Sequence, residues 1–250
     1  MIVRQVANVL ELIEFFAARG RPATLTEISD ALGWPRSSTF NIVATLSEKG
    51  YLYEPRIRGG YYPSPRWSVV MNAIQKAEPL PEAVRKLGEE IADRTGETTA
   101  VSSLSGMHTN FLHVVDSRHP IRFFTEVGKG VPVHASSAGR AILGQLGRQE
   151  REAIYRRIVF ERFSETTPMS VEAIEQALKD AAARGYHQSN SEYIPDLAGV
   201  SLPLEGGMKH LSIVVAGPVS RCLAKRPETA EIMKDSVRKF GLEMPIVFQP

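Results

Sequence analysis

Residues 24–50, TLTEISDALGWPRSSTFNIVATLSEKG, contain two helix patterns separated by a glycine turn. Thr24 and Glu27 have capping-box spacing at the start of the first pattern, and Gly33 suits the left-handed position that ends it. Pro35 fits the first turn of a second helix, which runs to the end of the stretch. Two helices joined by a short turn with a glycine predict a helix-turn-helix.

The second helix of this pair has a buried face and a polar face. At about 100° per residue, Thr39, Ile42, Val43 and Leu46 fall on one side, which is the predicted core face. The opposite side is short and mostly uncharged, so it can lie close to a groove floor and hydrogen-bond phosphates and base edges. A solvated face that binds nothing is the alternative. The residues of this helix that we expect to contact DNA are Arg36, Ser37, Ser38, Phe40, Asn41 and Thr45.

A basic hairpin is predicted directly after this helix. Tyr51–Tyr53 and Tyr61–Tyr62 flank a tip that contains glycine, Arg56 and Arg58, a pattern typical of a β-hairpin. A hairpin in this position is the wing of a winged helix, and both arginines suit phosphate or minor-groove contact. A solubilising surface hairpin is the alternative. An amphipathic helix over residues 2–18 completes three helices and a basic hairpin, an order that favours DNA binding.

Composition predicts an ordinary globular chain. It has 250 residues, 43% hydrophobic and 23% charged, with a net charge of +2 that falls entirely within residues 1–78. At about 150 residues per domain, two domains are expected. There is no run of about 18 apolar residues and no signal-peptide cleavage pattern, so we expect a cytoplasmic protein that does not enter a membrane. The lone Cys222 excludes an intramolecular disulfide and a thiolate-rich zinc site.

Prolines mark the expected domain boundary. Pro63 and Pro65 precede an amphipathic helix that ends before Pro79. Its apolar stripe can pack on its own domain or on a second subunit. We therefore expect a DNA-binding domain over 1–63, a linker helix over 64–78 and a second domain over 79–250.

The second domain has grouped strands and helices. Such grouping, with short turns between several strands, is typical of an α+β domain with a largely antiparallel sheet. The predicted strands cover residues 98–104, 111–116, 121–127, 199–204 and 211–216.

The strongest local pattern in this domain is HASSAGR, residues 134–140. Ser136 or Ser137 is expected to cap a helix, and the small residues of its first turn leave backbone N–H groups that can hold a carboxylate. A tightly packed, well-capped helix without a ligand is the alternative.

Patterns of enzymes are weak in this chain. Gly199-Val-Ser201-Leu-Pro203 resembles a nucleophile elbow, but proline replaces the last glycine. A hydrolase that uses Ser201 or Ser136 therefore stays only as an alternative to DNA binding. The six histidines lack metal-ligand spacing, and we expect no metal and no cofactor.

Taken together, these motifs resemble the IclR family of bacterial transcription regulators over essentially the whole chain. The matching segments are Leu25–Ile28, Leu32–Ser38, Thr45–Leu46 and Gly50–Leu52, then His134–Ser136, Gly139–Ala141, Arg184–Tyr186 with Glu192, and Ser212–Ile213, Ala216–Pro218 and Arg221. Asn41 stands where the family usually has arginine, and Tyr61-Tyr62-Pro63-Ser64 replaces the usual Tyr-Arg-Leu-Gly.

The resemblance implies a regulator without catalytic activity. It implies a winged helix, a GAF-like effector domain that binds a small organic or aromatic acid, and dimers or tetramers on double-stranded operator DNA, with control of a catabolic operon. A DNA-binding protein that needs no ligand is a further alternative. Carried over by motif, the ligand-binding residues are Phe123, Val131, Ser136, Ser137, Ala138, Gly139, Asn190, Glu192, Gly199, Val214 and Ala216.

Overall fold

The computed structural model describes residues 3–56, 59–77, 80–206 and 209–245. They divide into two compact units, Met1–Pro79 (unit 1) and Leu80–Pro250 (unit 2). Each unit is described below by itself.

Unit 1 consists of three helices, a small hairpin and a fourth helix. The elements are α1 (Arg4–Arg19), α2 (Leu25–Leu32), α3 (Arg36–Glu48), β1 (Leu52–Tyr53), β2 (Tyr62–Pro63) and α4 (Arg66–Ala77).

The helix-turn-helix forms as the sequence predicts. The Glu27 N–H donates to Thr24 Oγ1 at 3.3 Å, and the Thr24 N–H donates to Glu27 Oε2 at 2.8 Å, so the capping box at the start of α2 is complete. Gly33 ends α2 in the left-handed conformation, at φ 65°. The core face of α3 packs inward, and the buried core of unit 1 comprises Leu12, Phe16, Ala23, Ile28, Trp34, Val43, Leu46 and Leu52.

The hairpin is joined to the body of unit 1 by a close backbone approach. β1 and β2 pair antiparallel, and Ala23 and Tyr61 exchange hydrogen bonds of 3.0 and 2.8 Å just beside them. Gly60 has a φ of 86°, and a Cβ there would lie 2.5 Å from the carbonyl carbon of Ala23. Only glycine fits this position. Arg58 lies outside the described residues.

Unit 2 is an antiparallel sheet with helices on both faces. Its six strands lie in the order β5-β4-β3-β8-β7-β6, and every neighbouring pair is antiparallel. The elements are α5 (Glu82–Thr95), β3 (Thr98–Ser105), β4 (His108–Val115), β5 (Gly130–Pro132), α6 (Ser137–Leu143), α7 (Arg148–Tyr155), α8 (Val171–Arg184), β6 (His187–Asn190), β7 (Leu197–Gly206), β8 (Lys209–Pro218), α9 (Val219–Cys222) and α10 (Arg226–Lys239).

Strand alternation gives this sheet two different faces. Val101 and Val215 pack with α5 and α10 in one core, whereas their neighbours Ala100, Val214 and Ala216 belong to a second cluster with Ala138 of α6. The larger core is mostly aliphatic. The second cluster is built from small side chains, and it lies where the ligand-binding residues were expected.

The strand expected over 121–127 is wrong. This segment is an extended loop, because its carbonyl groups accept hydrogen bonds from side chains and not from a neighbouring strand. Thr98 Oγ1 donates to Phe123 O at 2.6 Å, and Arg221 Nη2 donates to Ile121 O at 3.0 Å. β5 and β6 were not predicted from the sequence, and they are only three and four residues long.

His187 in β6 is an almost fully buried histidine, with 1% of its surface exposed. Neither ring nitrogen has a hydrogen-bond partner among the described residues. Burial, with the positive charges of Arg140 and Arg184 nearby, lowers the pKa of His187 to about 3. The folded protein therefore keeps this ring neutral.

We expect unit 2 to lose stability as the pH falls below about 6.5, because the unfolded chain then binds a proton that folded His187 does not, at up to about 1.4 kcal/mol per pH unit. His187→Leu should flatten this dependence. Both tryptophans, Trp34 and Trp67, lie in unit 1, so urea unfolding of unit 2 at pH 7 and pH 5 should be followed by circular dichroism.

Substitution of the exposed His119 by glutamine is the control and should leave the pH dependence as in the parent protein. An equal loss of stability between the two pH values in His187→Leu and the parent would contradict the assignment to His187.

Candidate functional site

The outer face of α3 is open to solvent. Arg36, Ser37, Asn41 and Thr45 are exposed, and Ser38 is half-buried. Phe40 is a large apolar side chain with 57% exposure. The expected contact residues of α3 therefore share one accessible surface, as a helix that inserts into a groove requires.

Two residues of α1 extend this surface and were not found from the sequence. Arg4 and Gln5 line a groove together with Ser38 and Asn41. They add a charged donor and an amide beside the middle of α3. The helical pattern of residues 2–18 did not predict them, because the solvent side of α1 has no motif.

The wing contributes a second basic position. Arg56 is exposed on the described part of the hairpin. Arg66, at the start of α4, stacks over the ring of Tyr51 with its guanidinium carbon 5.1 Å from the ring centroid. Trp67 Nε1 donates to Tyr51 O at 3.0 Å, so the beginning of α4 is fastened to the base of the hairpin.

Unit 2 contains a mostly apolar cavity between the sheet and the loops above it. Nine of the eleven residues expected to bind a ligand line it: Phe123, Val131, Ser136, Ser137, Ala138, Glu192, Gly199, Val214 and Ala216. Six further lining residues were not found from the sequence: Phe111, Ala135, Ser189, Tyr193, Ile194 and Leu197.

Gly139 and Asn190 do not line the cavity. A Cβ on Gly139 would overlap Val133 O and lie 2.6 Å from Val133 Cα, so this glycine lets α6 pack directly on the preceding backbone. Asn190 lies one residue beyond Ser189 on β6, and strand alternation turns it away from the side that Ser189 lines.

Hydroxyl groups form the polar floor of the cavity. Ser201 Oγ donates to Ser137 Oγ at 2.8 Å, and Ser189 Oγ donates to the same oxygen at 3.4 Å. A Cβ on Gly199 would lie 2.8 Å from Ser189 Oγ and 2.9 Å from Ser137 Oγ. Gly199 thus provides the space in which these hydroxyl groups meet.

Ser136 is the residue that caps α6. Its Oγ accepts the N–H of Gly139 at 3.1 Å and donates to Pro132 O at 2.9 Å. Ser201 is fully buried within β7. Both serines considered as nucleophiles therefore have structural roles.

A buried ion pair borders the cavity. Arg140 is only 2% exposed and donates to His134 O at 3.0 Å and Gln188 O at 2.7 Å. Its Nη1 lies 2.6 Å from Glu192 Oε2. Because Arg140 offsets the charge of Glu192, the polar side of the cavity has little net charge.

Several aromatic side chains of the outer loops lie at the outer side of the cavity. Phe123, Val131, Tyr193 and Ile194 line both the inner cavity and an outer recess, which also includes Phe124, Thr125, Lys129 and Phe163. The rings of Phe163 and Tyr193 meet edge to face, with centroids 4.9 Å apart. A ligand that enters from outside has to pass these side chains.

A metal site and a membrane-spanning helix are both absent from the described residues. Across the four described ranges, His, Cys, Asp and Glu side chains do not gather in threes as a metal site requires. Among the helices of the same ranges, none has the length and apolar character needed to cross a membrane.

A winged helix followed by a domain with a mostly apolar small-molecule cavity defines a class of ligand-responsive DNA-binding proteins. The IclR helix-turn-helix domain matches residues 5–56, and the bacterial transcriptional regulator IclR C-terminal domain matches residues 72–241. The second match alone spans more than half of the chain. The chain therefore belongs to the IclR family: it is a DNA-binding transcription regulator with an effector-binding domain, and not an enzyme.

Known relatives match along nearly their whole length. The HTH-type transcriptional regulator XynR of Escherichia coli is 22% identical over 245 residues, 97% of this chain and 96% of the relative. The transcriptional repressor IclR of the same species is 24% identical over 243 residues, 96% and 85% of the two chains.

A solved structure supports the fold. An IclR homologue from Microbacterium hydrocarbonoxydans, crystallised in complex with 4-hydroxybenzoate, superposes with a TM-score of 0.68 at 22% identity, and covers 94% of this chain and 97% of its own.

Gly139→Ala should destabilise unit 2, because its methyl group has no space against the backbone of Val133. Overpacking of this kind costs about 1–3 kcal/mol, or about 3–10 °C in the unfolding temperature of a domain of this size. The unfolding temperatures of the variant and the parent protein are measured by circular dichroism.

Gly147→Ala is the matched control. Gly147 is exposed at φ −64°, and a Cβ there would meet only Glu150 Oε2 at 3.5 Å. Equal unfolding temperatures for the two variants would show that α6 does not pack as described.

Proposed function

We propose that this regulator controls a catabolic operon and changes its affinity for operator DNA when unit 2 binds a small organic or aromatic acid. The observation that carries the proposal is the pairing of an accessible polar face on α3 with an apolar cavity in unit 2 that has a floor of hydroxyl groups. The first surface suits DNA, and the second suits a small molecule that is largely apolar with one polar group.

The proposed DNA contacts divide into two kinds. Ser37 and Asn41 lie on the exposed side of α3, and short polar side chains there reach base edges, with Asn favouring adenine. Arg36 and Arg56 are exposed cations that suit phosphate contact. Ser38, Phe40, Thr45 and, on the wing, Arg58 complete the proposed DNA-binding set.

The proposed ligand is an acid whose carboxylate lies on the floor of the cavity. Ser137 offers a hydroxyl donor there, Ser189 can turn its proton to the ligand in place of its 3.4 Å bond to Ser137 Oγ, and the start of α6 presents backbone N–H groups. The opposite walls are apolar, with the rings of Phe111 and Phe123 edge to face and 6.4 Å apart. An aromatic or branched aliphatic body fits such walls. The structure of a homologue with 4-hydroxybenzoate supports an aromatic acid.

Self-association is the third part of the proposal. Val3, which directly precedes α1, and Val6 and Leu10 within it are 55–61% exposed, and in α4, Val69 and Ile74 are 67% and 59% exposed. Helix faces this apolar are covered in stable assemblies. A dimer, or a dimer of dimers, would present two copies of α3 to the two halves of an operator.

Regulation then requires that the ligand bind two arrangements of the assembly with different affinity. Only a difference in ligand affinity between the arrangement that binds DNA and the one that does not can shift the balance between them.

Ser37→Ala combined with Asn41→Ala should reduce discrimination between a selected duplex and random DNA, because base-edge contacts are lost. A loss of about 1–3 kcal/mol per base contact is expected. Gel-shift titration on duplexes selected by the parent protein from a random pool measures both affinities.

Ser68→Ala combined with Asn72→Ala is the matched control, since these exposed residues have the same spacing on α4. Unchanged discrimination in the Ser37/Asn41 variant would refute the assigned recognition face.

Arg56→Ala should instead weaken binding to all DNA sequences. It should also reduce the salt dependence of the binding constant by the amount expected for about one phosphate contact.

A screen of small acids by thermal shift tests the sensing function. A true ligand stabilises the protein in proportion to RT ln(1+[L]/Kd). Ser189→Ala should weaken that ligand about tenfold, the effect of one lost hydrogen bond, whereas the exposed Ser220→Ala should not. If no acid stabilises the protein while operator binding persists, the protein binds DNA without a ligand.

A further inference from the structure

Phe40 is an aromatic residue of α3 that takes no part in the core of unit 1. Unit 1 has three phenylalanines. Phe16 is buried in its core and Phe15 packs against that core, whereas Phe40 belongs to neither group. With 57% of its surface exposed, Phe40 places a large apolar ring in solvent. Interior packing therefore does not account for this side chain.

Helix formation does not account for it either. At an exposed helix position phenylalanine is less favourable than alanine or the long charged residues, because its ring loses rotamer freedom against the preceding turn. Phe40 lies four residues after Arg36, the first residue of α3, and so stands in the N-terminal half of that helix. In a helix-turn-helix this half of the second helix supplies the residues that reach base edges.

The outer face of α3 has further apolar groups beside Phe40. Ala44 is exposed and lies one turn further along the helix, where residues four apart are adjacent. Thr45 is also exposed, and its Oγ1 donates to Asn41 O at 2.7 Å. This bond uses the one hydroxyl proton of Thr45 within the helix. The face therefore combines the polar side chains of Ser37 and Asn41 with a ring and two methyl groups.

Duplex DNA offers one apolar group to such a face. In the major groove thymine presents its C5-methyl group, whereas the edges of the other bases are read through hydrogen-bonding atoms. Phenylalanine, alanine and the methyl group of threonine are the kinds of side chain that contact this methyl group. Phosphates and sugars are bound by charged and polar groups. The chemistry of Phe40 thus suits thymine and not the DNA backbone.

We propose that Phe40 is a specificity-determining residue whose ring contacts the C5-methyl group of a thymine in the operator, with Ala44 beside it on the same surface. This role rests on the proposed contact of α3 with the major groove. The contact removes the ring and the methyl group from water, which is favourable in proportion to the apolar area buried. Cytosine at the same place has no methyl group, so Phe40 selects thymine over cytosine.

Two other roles for an exposed ring make different predictions. A ring inserted between base pairs as a wedge kinks the duplex, and its contribution does not depend on a thymine methyl group. A ring in a contact between two copies of the chain changes the oligomeric state when it is removed. Only the methyl contact makes the affinity depend on the ring and on the methyl group together.

The test replaces single thymines by deoxyuridine, which removes the C5-methyl group and keeps the base pairing. Duplexes that the full-length parent protein selects from a random pool are titrated by gel shift, with each thymine exchanged in turn. At one thymine or more, the exchange should weaken binding by the parent about fourfold, the effect of about one buried methyl group. In Phe40→Ala the same exchange should leave the affinity nearly unchanged, because the two groups act as one contact.

Two further variants complete the comparison. Val159→Ala removes an apolar side chain of unit 2 that is 83% exposed, and it should keep the dependence on the methyl group. Phe40→Leu keeps an apolar side chain on α3 and should show a smaller dependence than the parent, which also makes the contact measurable if Phe40→Ala binds too weakly. Since Phe40 lies outside the core, both of its variants should unfold at the temperature of the parent, as measured by circular dichroism.

Several outcomes would overturn the role of Phe40 and leave operator recognition intact. One is a parent protein that binds deoxyuridine duplexes as tightly as thymine duplexes. Another is an equal loss on exchange in the parent and in Phe40→Ala, because a different group would then read the methyl. A third is a change in the solution mass of Phe40→Ala by sedimentation, which would place the ring between copies of the chain. If the parent selects no sequence from the pool, the proposed operator recognition itself fails, and the role of Phe40 fails with it.

Discussion

The cavity of unit 2 depends on one buried cation. Arg140 extends from α6 to the carbonyl groups of His134 and Gln188 and to the carboxylate of Glu192. A buried guanidinium is tolerated only when its charge and its donors are matched. This requirement joins residues 134–140 to residues 188–192, since Arg140 and Gln188 are 48 positions apart in the chain, and it places the start of α6, β6 and the loop after β6 around one space.

Packing around Arg140 then determines which side chains line this cavity. Gly139 allows α6 to lie directly on the backbone of Val133, and Gly199 leaves room for the hydroxyl groups of Ser137 and Ser189. The sheet contributes small side chains on this face and large aliphatic ones on the other. A cavity with a polar floor therefore remains beside a mostly aliphatic core, without loss of the hydrophobic burial that stabilises the sheet.

Local signals explain why much of the fold was predictable from the sequence. The capping box of Thr24 and Glu27 and the left-handed Gly33 act within one or two turns of a helix, so α2 and α3 form as expected. The same holds for Ser136 at the start of α6. The segment 121–127 was wrongly predicted as a strand because of its apolar residues, whereas the side chains of Thr98 and Arg221 donate hydrogen bonds to its carbonyl groups. Neither donor is close to it in sequence.

The amino-acid sequence by itself determined the winged helix and the antiparallel character of the second domain, and its resemblance to the IclR family indicated nine of the residues around the cavity. Only the tertiary structure decided that Ser189 and not Asn190 lines it, that Tyr193 lines it, and that the carboxylate of Glu192 lies 2.6 Å from the guanidinium of Arg140. The reason is that strand pairing sets which alternate side chains point to one face, and a shift of one residue exchanges them. Pairing between distant segments is a property of the whole fold, which periodicity along the chain does not contain.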